Sequence, residues 1–149
     1  MSGSRGSGIV FDSLRGVLRI DRTARAAVGA SPERCRELLA DVDGYPRWSS
    51  LITSAESVGE RVRLRAELLG VSFEMTCDLE VGDTSVVLRR LPNDTGDEER
   101  FEAVWTLAPG EVTLHVSAAL DAPGPARLIR GRVEKRLTDD LLADFTRAL

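Results

Sequence analysis

The stretch "DGYPRWSSL", residues 43–51, holds the only Tyr of the chain and one of its two Trp. Aromatic residues make up just 5% of the sequence, so two within four positions mark a structural corner. Pro46 locks its own φ and lacks a backbone donor, which suits a turn between elements.

Upstream of the corner, Ser31 is a helix cap and Pro32 suits the first helical position. Cys35, Leu38, Leu39 and Val42 then share one face. Gly44 and Pro46 end this helix or bend it into a second short one. Residues 18–28, "LRIDRTARAAV", form a first strand. The opening residues 1–16 are rich in Ser and Gly at their start. They are expected to be a flexible tail ahead of a single domain over residues 17–149.

Downstream, strict alternation sets in. In "RVRLRAEL" Val62, Leu64, Ala66 and Leu68 form one face, and Arg61, Arg63, Arg65 and Glu67 the other. In "VSFEMTCDLEV" Val71, Phe73, Met75, Cys77, Leu79 and Val81 form the apolar face. One buried and one wet face is the antiparallel pattern. A two-residue turn at Leu69-Gly70 sets Leu68 opposite Val71, Arg65 opposite Glu74 and Arg61 opposite Asp78. A two-residue turn at Gly82-Asp83 sets Leu79 opposite Val86, Cys77 opposite Leu88 and Met75 opposite Arg90. A turn at Pro109-Gly110 sets Leu107 opposite Val112, Trp105 opposite Leu114, Ala103 opposite Val116 and Phe101 opposite Ala118. Apolar residues meet through each hairpin, and a one-residue slip would expose them. The acidic loop "PNDTGDEE", residues 92–99, reads as a solvated connector.

The end of the chain reads as one helix from near Pro125, about 37 Å long at ~1.5 Å per residue. Ile129, Val133, Leu137, Leu141, Phe145 and Leu149 recur in steps of four. Each step turns the face by about 40°, so the apolar stripe winds. A strongly curved sheet can cover such a stripe and a flat one cannot. The stretch "RLIRGRVEKR", residues 127–136, reads as the solvated face of this helix.

The order strand, two short helices, six strands, long helix resembles the helix-grip fold of the START-like superfamily (SRPBCC). That superfamily includes polyketide cyclase/dehydrase and coenzyme Q-binding members. The residues that carry the resemblance are "SPERCRELLADVDGYPRWSSLITSAESV", 31–58: a helix, a D-x-x-x-Tyr-Pro-x-Trp corner and a strand. The resemblance implies an α+β fold, a curved seven-stranded antiparallel sheet wrapped around the C-terminal helix. It also implies an internal cavity with Trp48 closing one end and Tyr45 packing the helix pair. The hairpin registers then put Phe73, Met75, Cys77, Leu88, Phe101, Trp105, Leu114 and Val116 on the cavity wall, facing Val133 and Leu137 of the helix. Such a wall suits a lipid-, quinone- or polyketide-like molecule. The expected role is binding or transport of that molecule. The alternatives are a polyketide cyclase/dehydrase-type enzyme that shapes its substrate in the same cavity, and a ribosome- or protein-interaction member.

Arg90 shares the inward parity of its strand, and a buried Arg needs a partner. It is the candidate anchor for a ligand carbonyl or carboxylate; the competing reading pairs it with an acid of the adjoining loop. His115 is the single histidine. Its parity points outward with Thr113 and Ser117, which argues against a general base. No catalytic residue, metal spacing or phosphate loop emerges, and no cofactor is expected. Cys35 and Cys77 read as buried free thiols. The net charge of -4 disfavours nucleic acid as a partner. A cytoplasmic protein is expected, with membrane contact at most transient and room for a homodimer.

Overall fold

A computed structural model describes residues 17–92, 99–121 and 128–149. The tail 1–16, most of the loop 92–99 and Pro125 lie outside the described residues. The chain runs β1 (Val17–Ala27), α1 (Pro32–Ala40), a 3₁₀ turn (Val42–Gly44) and α2 (Tyr45–Trp48). Next come β2 (Ile52–Val58), β3 (Arg61–Leu68), β4 (Val71–Val81), β5 (Ser85–Arg90), β6 (Arg100–Ala108) and β7 (Glu111–Asp121). The C-terminal helix α3 is made of Arg130–Lys135, a π-helical turn Arg136–Asp140, and Leu141–Ala148.

All seven strands form one sheet in the order β1-β7-β6-β5-β4-β3-β2, and every neighbouring pair is antiparallel. The chain therefore returns its last strand beside its first. α1 packs on β4, β5 and β6, while α3 packs chiefly on β1 and β7. This is the helix-grip arrangement expected from the sequence.

Local chemistry accounts for the elements. Ser31 caps α1, accepting from the Arg34 amide at 3.2 Å. Leu69 (φ 50°) and Gly70 (φ 86°) both lie in the left-handed region, the geometry of a tight two-residue hairpin turn. This turn sets Leu68 opposite Val71 and Arg65 opposite Glu74, as the charge pattern predicts. Arg65 donates to Glu74 at 3.2 Å on the exposed face. The β6–β7 register is also the expected one, with Trp105 opposite Leu114 and Phe101 opposite Ala118.

The β4–β5 register differs. Cys77 faces Arg90, Leu79 faces Leu88 and Val81 faces Val86. The turn takes four residues, closed by the Gly82 amide donating to the Ser85 carbonyl at 2.8 Å. The strand is thereby offset by two residues from the two-residue-turn pairing. Because side chains alternate with period two, this offset leaves every residue on its expected face.

The helix also differs from the uninterrupted α-helix expected, because Arg136–Asp140 form a π turn. Val133, Leu137, Leu141 and Phe145 are all buried, at 4%, 4%, 5% and 0% exposure. Steps of four in a pure α-helix would carry the stripe away from the sheet by ~40° each. The π turn uses more residues per revolution and takes back part of that rotation. The ladder thus stays on the sheet side through the middle of the helix.

Candidate functional site

The Tyr-Pro-Arg-Trp corner is clamped from both sides. The Tyr45 hydroxyl donates to the Leu39 carbonyl of α1 at 2.5 Å. Gly44 is tightly placed, since a Cβ there would come within 2.7 Å of the Asp41 carboxylate. After Trp48, the two serines take different tasks. Ser49 Oγ accepts from the amides of Leu51 and Ile52 at 3.1 and 3.0 Å. Ser50 donates to Asp144 of α3 through its amide, 2.8 Å, and its hydroxyl, 2.7 Å. Arg136 in the π turn donates to the Ser50 hydroxyl and carbonyl, at 2.8 and 2.9 Å. Arg147 pairs with Asp144 as well. The corner and the C-terminal helix are therefore one hydrogen-bonded unit. The sequence held a signal for this: Asp144 is an acid beside Leu141 and Phe145 on the buried face of α3.

Between this unit and strands β3–β6 lies a cavity with about 50 Å³ of free volume. The rings of Trp48 and Trp105 border it, with Phe145 packed behind both. Trp48 meets Tyr45, Phe145 and Trp105 edge-on, with ring centroids 5.4, 5.6 and 6.5 Å apart. Trp105 and Phe145 are tilted at 4.9 Å. Each such pair contributes about 0.5–1.5 kcal/mol beyond area burial.

Of the residues expected on the wall, Trp48, Phe73, Met75, Leu88, Phe101, Trp105 and Leu137 line the cavity. Phe73 and Met75 are only half-buried, as is Ala66 beside them, so this edge of the sheet is the mouth. Cys77, Leu114, Val116 and Val133 are fully or nearly fully buried but lie outside the lining. They share the inward parity and pack into solid core elsewhere. Burial pushes the Cys77 thiol up to about 12, with the Arg90 charge opposing, so it stays protonated at neutral pH. Sequence reasoning passed over Tyr45, Leu51, Ile52, Leu64, Ala66, Leu68, Ala103, Leu120 and Leu141, which complete the lining. Leu64, Ala66 and Leu68 were legible as inward residues; their distance from the helix was not.

Arg90 does not line the cavity. Its guanidinium donates to the Glu99 carbonyl at 2.7 Å and stands 3.7 Å from the Glu99 carboxylate. The acid at the end of the adjoining loop takes it, so a candidate ligand anchor becomes a strand-end clamp. His115 faces away from the cavity and its Nε2 lies 2.6 Å from Asp21 Oδ1 on β1. On the helix, Asp139 receives both arms of Arg22 at 3.1 and 2.8 Å. That pairing holds the Asp139 carboxyl below its usual pKa.

With a cavity between a curved sheet and its gripping helix in place, the comparison with known proteins is decisive. The family model described as polyketide cyclase/dehydrase and lipid transport matches residues 28–146. The chain belongs to this family. Solved structures agree in fold. A START superfamily protein from Mycobacterium smegmatis aligns with a TM-score of 0.61 at 18% identity, over 87% of this chain and 99% of that one. The Zhui aromatase/cyclase from a Streptomyces species aligns at 0.63 and 20% identity, over 89% and 94%. A STAR-related lipid transfer protein from Xanthomonas axonopodis aligns at 0.63 and 17% identity, over 86% and 84%. No curated protein matches the chain at a significant level. Among the described residues, no helix is long and apolar enough to cross a membrane.

Proposed function

We propose that this member of the polyketide cyclase/dehydrase and lipid transport family binds a hydrophobic small molecule in the cavity beneath the Tyr-Pro-Arg-Trp corner. The observation that carries this reading is the lining itself. Every described residue around the cavity is aliphatic or aromatic. The one hydroxyl of the described lining, on Tyr45, is already donated to Leu39, and burial holds its pKa well above that of a free tyrosine.

A group that is to move a proton must reach the substrate. Tyr45 is engaged, His115 is on the outer face, and the described lining supplies no carboxylate or amine. Carriage or sequestration therefore fits the site better than acid–base catalysis. A cyclase-type role would have to act by shaping the bound chain. Ligand pockets usually enclose about 300–1,000 Å³. The cavity here has about 50 Å³, so a larger ligand must widen it. The half-buried Phe73 and Met75 at the mouth are the side chains with room to swing aside.

Ala103 is buried in the wall, and Ala103→Phe would fill the free space. The expected outcome is at least a tenfold loss of Nile red binding by fluorescence titration, with the circular dichroism of the folded protein retained. Unchanged binding in a folded variant would remove the cavity from consideration as the binding site.

A further inference from the structure

The indole Nε1 of Trp48 is buried and has no hydrogen-bond partner among the described residues. Trp48 lines the cavity, and its ring is held by Tyr45, Trp105 and Phe145 on several sides. A buried donor left unpaired is costly, and native proteins rarely tolerate one. Rotating the ring to bring the N–H to solvent would break these ring contacts. The donor therefore calls for an acceptor brought from outside.

We propose that the Trp48 N–H is the polar anchor of the ligand, and that it selects a neutral, apolar molecule bearing a carbonyl- or ether-type oxygen. This inference rests on the binding role proposed above and adds the ligand class to it. Water is a poor occupant, because a buried water needs about 2–4 polar partners. Of side-chain groups, the described lining offers at most this N–H and the acceptor oxygen of Tyr45, whose hydrogen is committed to Leu39, so a water would sit at the bottom of that range. A ketone, ester, quinone or ether oxygen needs only to accept, and the rest of its molecule is apolar. A carboxylate would enter without a counter-charge: Arg90 is turned to Glu99 and Arg136 to Ser50.

The test is displacement of Nile red by three probes of matched chain length: 2-undecanone, undecane and undecanoic acid at neutral pH. The ketone is expected to bind about tenfold or more tightly than the alkane, the gain of one hydrogen bond to a formerly orphaned donor. The acid is expected to bind more weakly than the ketone. In Trp48→Phe the ketone should lose its advantage over the alkane. Should that variant not fold, replacing Trp48 by its benzothienyl analogue removes only the N–H. In a ¹⁵N–¹H spectrum the Trp48 indole resonance should shift with the ketone and stay in place with the alkane. If the alkane binds while the ketone shows no preference, or if the preference survives loss of the N–H, the anchor is refuted and the cavity stands. If none of the three displaces Nile red, the binding role itself fails, and this inference with it.

Discussion

The two halves of the sheet's inner face are built from the same kind of residue and end differently. Under β1 and β7, the side chains of Val112, Leu114 and Val116 are fully buried in solid core. Under β3, β5 and the facing part of β6, Leu64, Leu88 and Ala103 are nearly as buried but border free space. The difference is where the helix lies. α3 packs chiefly on β1 and β7 and carries its ladder of large residues onto them. Over the other strands the cavity is closed by Tyr45 and Trp48 of the corner together with Leu137 and Leu141 of α3, which leave free space between them and the sheet. Equal hydrophobicity thus gives a structural core on one side and a binding space on the other.

The sharpest way to break this comparison is a matched pair of truncations. Leu114→Ala should cost about 2–5 kcal/mol, the usual range for a leucine in a packed core. Leu64→Ala should cost distinctly less, because Leu64 already has free volume on one side. Urea denaturation of both variants measures the difference, and equal losses would mean that the two halves are packed alike. Nile red affinity should change only for Leu64→Ala.

A smaller effect is expected at the rim. Arg90→Met should destabilise the fold by about 1–3 kcal/mol through the lost charge-assisted bond to Glu99. It should leave ligand affinity within about twofold, since it belongs to neither half's interior. A tenfold loss of affinity would return Arg90 to the site.

The smallest effect concerns the clamp between β1 and the helix on the solid side. The folded-state pKa of Asp139 lies below its unfolded value near 3.8, chiefly through its hydrogen bond to Arg22. A depressed carboxylate stabilises the fold above the unfolded pKa, and that benefit fades as pH falls through the folded one. Wild type should therefore melt slightly above Asp139→Asn at neutral pH. The gap should narrow only once the pH falls below about 3.8 and through the lower folded-state pKa. Both partners are partly exposed, at 41% and 35%, so salt should narrow it as well. A gap independent of pH would point to packing at the π turn rather than to the charge.

Much of the fold was legible because its signals are local and periodic. Ser31 and Pro32 start α1, alternation names the faces of β3 to β7, and Leu69-Gly70 with Pro109-Gly110 set two registers correctly. The Gly82 turn was misjudged by two residues because a four-residue closure changes the partners but leaves every residue on the same face. The π turn in α3 was not legible, since no single residue type announces it. Asp144 and Ser50 lie 94 positions apart, and only the folded chain brings them together.

Which residues point inward was therefore determined by the sequence alone, because side-chain parity is a property of each strand and survives even-numbered shifts of register. Which inward residues touch a cavity was decided by the tertiary structure. That depends on the distance between helix and sheet, set jointly by the curvature of seven strands, the π turn and the clamp from Ser50 to Asp144. The same holds for the two nitrogen groups that matter most. Arg90, the inward charge, found its acceptor at Glu99; Trp48, the expected end-plug, kept a buried N–H with none among the described residues.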